Sequence, residues 1–347
     1  MPRRTADRLT SLVRAQAERG VLGVYEVERR ISEIRERVGR FIGASGAEIA
    51  FLRNTGDGAN VIARGLTWKP GDEVVVSDNE FGSNAMPWLA LREYGVVLRF
   101  IRASRERMTP ATLRAAMSPR TRVVAVSWVS FTDGYRHDLP ALAEVAHSGG
   151  ALFCVDAMQA LGAFSLDVKS AKVDALYAGG AKWLLAIPGV SFLYVDSALN
   201  DRLAVRWRGW RDVEDIWNFL DYEQSFAPGA ARFEGGTLNF LGMAALETSM
   251  DVLDEASVER ISAHVIGLTD RLVDGLQRLG AEIDSERGPG ISSGIVTFRL
   301  PGTDPIEVGR RLAGANIVTT YRKNGIRVSP HGHNSVADID ALLSYIN

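Results

Sequence analysis

The sequence predicts an α/β protein: a mostly parallel sheet sandwiched by helices, followed by a smaller C-terminal α+β domain. Two observations predict it. Between residues 45 and 250, short apolar runs bounded by Gly, Asp or Ser alternate with helical stretches, as in parallel strands joined by crossover helices. Near residue 250 that alternation stops and a long helical stretch leads into a different pattern.

Ahead of the first strand, Val24, Val27, Ile31, Ile34, Val38 and Phe41 recur at spacings of three and four, which predicts one amphipathic helix with its charges turned to solvent. GAEIAFLRN reads as a strand ending in NTGDGAN, and VIARGL continues as a helix. GDEVVVSD, VVLRFI, TRVVAVSW, ALFCVDAM, DALYAG and SFLYVD are further strands, with helices such as LPALAEVAHSG between several of them. DVLDEASVERISAHVIGLTDRLVDGLQRLG is the long helical stretch. GIVTFRL, a helix near IEVGRRLAG, NIVTTYRKNGIRVSP and the helix VADIDALLSYI complete the chain. These divisions predict an N-terminal helical segment over 1–44, a large domain over 45–250 and a small domain over 251–347 that closes over it.

At 347 residues, 46% hydrophobic and 24% charged, the chain has enough apolar material for a sizeable core. A net charge of -2 gives no reason to expect nucleic acid or an acidic membrane surface as partner. The first twenty residues are too charged for a secretory signal, and Asp7 and Glu18 are out of place in a mitochondrial presequence, so a cytoplasmic protein is expected. The single cysteine, Cys154, excludes an internal disulfide and any multi-cysteine metal site; no metal is expected.

In an open parallel sheet the chemistry lies at the carboxyl ends of the strands. Four candidate ends carry polar or flat side chains. Asn54-Thr55-Gly56 offers a hydroxyl and free amides at a helix N-terminus, suited to a phosphate, although a capping threonine would look the same. Trp128 closes VVAVS, as a flat plate or as core. Asp156 closes ALFCV, with Gln159 three residues on; a buried carboxylate needs a partner. Lys182 follows the small-residue run Ala178–Ala181 and precedes Trp183-Leu184-Leu185, where a buried amine with a lowered pKa is expected. Together these match the needs of pyridoxal 5′-phosphate: an amine for a Schiff base, a carboxylate for the ring nitrogen, a flat partner and an anion cradle. A structural Lys–Asp ion pair would leave the other two ends idle.

The stretches DNEFGSNAMPWLAL (78–91), VSWVSFTDGYRHDL (126–139), VDAMQALG (155–162), GGAKWLLAIPGVSFLYV (179–195), ARFEGGTLNFLGMAALE (231–247) and IRVSPHGHN (326–334) resemble the class V aminotransferase family. That group of fold type I pyridoxal-phosphate enzymes includes cysteine desulfurases, selenocysteine lyases, kynureninases and isopenicillin N epimerase-like proteins. The resemblance implies the fold type I architecture, with 45–250 as the cofactor-binding domain. It makes Lys182 the lysine that carries the cofactor, Asp156 the partner of the ring nitrogen and Gln159 that of the phenolic oxygen. Trp128 stands where many members have a stacking histidine, and Thr55 and Gly56 match the phosphate turn. Thr237 matches a threonine that reaches the neighbouring subunit's phosphate, which implies a homodimer. Arg327 corresponds to the arginine that grips the substrate α-carboxylate, as a bidentate fork.

The sequence departs from the family's pattern in three places. Gly179 and Ala181 replace a serine and a histidine that hold phosphate in many relatives, and Phe131 replaces an asparagine. The implied activity is that of a class V aminotransferase-type enzyme acting on an amino acid or amine; the alternatives are a β-eliminating C–S or C–Se lyase and a cofactor-binding protein without turnover. A desulfurase needs a thiolate on a mobile loop, whereas Cys154 lies inside a strand, about 6.6 Å deeper than Asp156, and reads as a core filler. Trp207, Trp210 and Trp217 are candidates for lining the pocket entrance, and His331 and His333 flank Gly332 without further metal ligands in view.

Overall fold

The structure is a computed structural model and describes residues 1–346. Helices α1 (Arg3–Arg19), α2 (Tyr25–Arg29) and α3 (Ile31–Phe41) come first. The large sheet follows, built from β1 (Ile49–Leu52), β2 (Glu73–Ser77), β3 (Val97–Ile101), β4 (Thr121–Ser127), β5 (Leu152–Asp156), β6 (Ala175–Gly179) and β7 (Ser191–Val195). Between and after these strands run α4 (Thr55–Gly65), α5 (Gly82–Leu89), α6 (Pro110–Ala116), α7 (Leu139–Ser148) and α8 (Ser197–Asn200). The last part holds α9 (Phe240–Ala256), α10 (Val258–Arg278), β8 (Glu282–Ile283), β9 (Val296–Arg299), α11 (Pro305–Gly314), β10 (Thr320–Arg322), β11 (Gly325–Val328) and α12 (Val336–Ile346).

The seven strands are ordered β1-β7-β6-β5-β4-β2-β3. From β3 to β6 neighbours run parallel; β7 is antiparallel to β6, and β1 to β7. Both faces of the central strands are covered, so those strands are apolar on both sides, whereas edge strand β3 is partly exposed and carries Arg99. Along β4 and β5, Val124, Val126, Phe153 and Val155 enter one core while Val123, Ala125 and Cys154 enter the other, as the two-residue period of a strand requires. Each large side chain buried this way contributes on the order of 1.5–3 kcal/mol. The four-stranded sheet, ordered β10-β11-β9-β8, has its own core of Phe298, Ile326, Leu272, Leu276 and Leu312.

All seven large-sheet strands coincide with runs read from the sequence, and the mostly parallel α/β architecture is the predicted one. Two helices differ. The stretch expected to form one helix over Val24–Phe41 is broken at Arg30 into α2 and α3. The long stretch is broken at Ser257, whose φ of 62° no helix accommodates and whose hydroxyl caps α10.

Candidate active site

The strand ends converge as the topology demands. Ser127, Asp156 and Tyr177 lie in register across β4, β5 and β6, so Trp128 directly follows this row. Asp156 is buried. Its Oδ1 accepts the Met158 amide at 2.8 Å, and its other oxygen has no hydrogen-bond partner among the described residues. Burial is the main reason its pKa rises to about 7; the nearby Glu80 adds to the rise, while Met158 and Lys182 oppose it.

Lys182 sits on the tight connection that turns the chain from β6 into antiparallel β7. Gly180 N–H donates to Val190 O at 2.9 Å and Ala186 N–H to Gly180 O at 2.8 Å, closing the loop. Leu185 takes the left-handed conformation (φ 59°), and the Ser249 hydroxyl of α9 holds its carbonyl at 3.0 Å. Such strain costs of order 1–3 kcal/mol and persists because its surroundings enforce it. Contrary to expectation, the Lys182 side chain is exposed: Trp183 and Leu184 take the core positions and the lysine projects from the loop. It is still ringed by protein. Desolvation lowers its pKa, assisted by the Arg327 charge and opposed by Asp156. Its Nζ lies 5.8 Å from the Phe81 ring centroid, and no carboxylate within salt-bridge distance neutralises it among the described residues.

Thr55 begins α4, yet the cap is Asn54, whose side chain accepts the Asp57 amide at 2.9 Å. The Thr55 hydroxyl is thereby free of capping and donates to Ser83 Oγ of α5 at 3.1 Å. Two hydroxyls and the first amides of α4, at Thr55 and Gly56, share one spot, the arrangement an anion wants. Gly179 explains the missing serine. A Cβ there would lie 2.9 Å from Met158 Sδ and 3.9 Å from Thr55 Cγ2, so Met158 fills the space such a side chain would take. The Gly179 amide donates to that sulfur at 3.3 Å. Gln159 is half-buried in the turn after Asp156 and makes no side-chain hydrogen bond among the described residues. Trp128 is buried, tilted against Phe164 at 6.1 Å, and its amide donates to Asp156 O at 2.8 Å.

Arg327, on β11, reaches the same crevice from the small sheet. It donates to Phe131 O at 2.6 Å and to Thr320 Oγ1 at 3.3 Å, while its Nε is buried without a partner. A guanidinium of this kind, with no carboxylate beside it, has the charge and shape that suit one.

Thr237 is exposed and lies elsewhere, in a groove of about 1090 Å³ lined also by Arg53, Arg64, Trp207 and Asn239. Its loop is anchored by Glu234, which accepts the Phe51 amide at 2.7 Å and pairs with Arg35. Trp210 and Trp217 pack around Phe219 in the segment after α8. His331 stacks on Trp183 at 4.4 Å and on His333 at 5.1 Å. Among the described residues no group of three or more His, Cys, Asp or Glu is arranged to hold a metal, and no helix is long and apolar enough to cross a membrane.

Sequence reasoning passed over Glu80, Ser83 and Arg322. Glu80 accepts the Ser127 amide at 2.8 Å and the Asn84 amide group at 2.9 Å, and burial raises its pKa. Ser83 carried a legible signal, a hydroxyl at a helix start after a strand.

An amine, a buried carboxylate and a hydroxyl-lined helix start at neighbouring strand ends, with an arginine reaching in from the small sheet, are groups that fit pyridoxal phosphate. The chain belongs to the class V aminotransferase family, whose pattern matches residues 6–342, and it is a pyridoxal-phosphate-dependent enzyme of that family. It is 33% identical over 296 residues to a probable cysteine desulfurase of Methanothermobacter thermautotrophicus, covering 83% of this chain and 72% of that one. It is 30% identical over 302 residues to the uncharacterized aminotransferase YcbU of Bacillus subtilis, covering 87% and 79%. The apo structure of a cysteine desulfurase from Thermococcus onnurineus superposes with a TM-score of 0.90 at 26% identity, covering 100% of this chain and 91% of that one.

Proposed function

We propose that the protein is a β-eliminating lyase that cleaves the Cβ–S bond of a cysteine-type amino acid and releases the sulfur without taking it onto the protein. Relatives named cysteine desulfurase support the C–S chemistry. The observation that carries the reading is Cys154. It is wholly buried between Ala125 and Ala175, and burial pushes its thiol well above the usual range, so it offers no thiolate to a substrate. A desulfurase without that nucleophile is left with elimination.

When bound, pyridoxal phosphate supplies an electron sink that makes the Cα–H bond acidic. Arg327 grips the α-carboxylate as a two-pronged fork. Lys182, with its pKa lowered, holds the cofactor and moves the proton at Cα. Asp156 would keep a proton at the ring nitrogen, Gln159 would serve the phenolic oxygen and Trp128 would offer the ring a flat partner. Thr55, Gly56 and Ser83 would hold the phosphate. Water balances the reaction: the thiol leaves with one proton, and the remainder ends as pyruvate and ammonium.

Thr237 serves the site of a second copy, which makes the working unit a homodimer; its exposure on a groove apart from the Lys182 crevice supports this. Product analysis with cysteine and S-alkyl cysteines tests the reading. Pyruvate and thiol are expected. Alanine would restore the desulfurase, and a keto acid that keeps the sulfur side chain would mean transamination.

A further inference from the structure

The small sheet turns two different faces to its surroundings. Val296, Phe298, Ile326 and Val328 point into its own core. The alternate residues point the other way, towards the large domain: Thr297 Oγ1 donates to Thr132 O at 2.6 Å and Arg327 donates to Phe131 O. In the β10–β11 register Thr320 lies opposite Arg327 and Arg322 opposite Gly325, so Arg322 shares the crevice-facing side with Arg327. Gly325 carries no side chain; a Cβ there would lie 3.0 Å from Phe298 O and 3.3 Å from Thr297 Cγ2, so β9 packs closely at this point.

Three arginines lie on this face, and their partners differ. Arg299 is neutralised by Asp284 at 2.7 Å and Glu282 at 3.0 Å. Arg327 and Arg322 have no acidic partner within salt-bridge distance among the described residues. Arg322 is exposed, and its guanidinium carbon lies 5.7 Å from the Phe131 ring centroid. Phe131 meets Phe81 edge to face at 5.3 Å, and Phe81 in turn lies 5.8 Å from Lys182 Nζ. An aromatic wall therefore runs from the reactive amine to a second, unpaired guanidinium.

Resting on the lyase reading, we propose that Arg322 binds a second carboxylate at the far end of the substrate. The substrate class is then an S-substituted cysteine whose sulfur arm ends in a carboxylate. Arg327 takes the α-carboxylate, the sulfur and its methylenes pack along Phe81 and Phe131, and Arg322 takes the distal acid. Aromatic edges suit a polarizable thioether, and a guanidinium suits a carboxylate.

The test compares two substrates of nearly equal shape, S-carboxyethyl-cysteine and S-propyl-cysteine, on the holoenzyme. The carboxylate compound is expected to have about tenfold higher kcat/KM, carried by KM, as one charge-assisted contact at a half-open site would give. Arg322→Ala should lower kcat/KM for the carboxyethyl compound about tenfold more than for the propyl compound, and Arg322→Glu should reverse the preference. Equal values for the two compounds in the wild type, or the same ratio in wild type and Arg322→Ala, would overturn the proposal. If neither compound yields pyruvate, the lyase reading falls by itself. The same ratios, measured as dissociation constants from the change in cofactor absorbance, then decide the role of Arg322 separately.

Discussion

Arg327 of the small sheet donates to the carbonyl of Phe131, four residues beyond the end of β4, at 2.6 Å. The arginine is thus held from the segment after β4 while its Nε is left without a partner. Arg327→Ala should raise KM for the amino-acid substrate by about 10–100-fold, the loss expected for a hydrogen bond to a charged group. Arg327→Lys should recover little, because an ammonium cannot make the fork. Steady-state kinetics on both variants checks this; a fully active lysine variant would remove the fork from the account.

Gly179 and Met158 form a size-matched pair. Gly179→Ser alone places a Cβ 2.9 Å from Met158 Sδ, the flexible end of a half-buried side chain, which must then shift. Cofactor affinity should fall. Adding Met158→Ala frees the space, and the new hydroxyl then faces Thr55 in the anion cradle. The double variant should bind pyridoxal phosphate at least as tightly as the wild type by fluorescence titration. Equal affinities in all three proteins would place the phosphate elsewhere.

Asp156 makes the apoprotein's stability depend on pH. Its folded pKa, about 7, lies above the ordinary carboxylate value, so the folded state binds the proton more tightly than the unfolded chain. The stabilisation is present at low pH and is lost as pH rises from about 4 to 7. Glu80, also raised, works in the same direction. In Asp156→Asn apoprotein the fall of Tm across this window should be shallower than in the wild type. An identical slope would mean that Asp156 is ionised throughout.

How far the sequence carried these conclusions depends on which force sets each feature. The strands were legible because a sheet covered on both faces demands unbroken apolar runs, as in VVAVS and ALFCV. Thr55, Trp128, Asp156 and Lys182 were legible as strand ends. The exposure of Lys182 was not, because the loop sends Trp183 and Leu184 inward and so reverses the reading of its neighbours. The break at Ser257 was hidden because apolar spacing continues on both sides of it, leaving only the capping serine as a sign. Arg322 could not be placed at all from sequence. Its position follows from the register of β10 on β11, which brings it to the crevice side.

Thr237 can be tested by complementation. A Thr237→Ala chain mixed with a Lys182→Ala chain should form heterodimers with one doubly damaged site and one intact site. Activity should partly return. No recovery in demonstrated heterodimers would put Thr237 in its own chain's site or outside any site.

Cys154→Ala should keep cofactor, fold and activity, because the thiol serves only as packing. Neither that variant nor the wild type should accumulate a protein-bound persulfide when cysteine is supplied. Persulfide on Cys154 by mass spectrometry, with loss of sulfur release in the variant, would reinstate sulfur transfer through the protein.

The central claim is that Lys182 is the amine at which the chemistry occurs. Lys169 is unsuited, held by Glu48 and Asp196, which raise its pKa and keep it charged. Borohydride reduction of the holoenzyme, followed by peptide mass spectrometry, reads this directly. The account predicts the cofactor mass on the peptide containing Lys182 and its disappearance in Lys182→Ala; the same mass on Lys69, Lys169, Lys172 or Lys323 would contradict it.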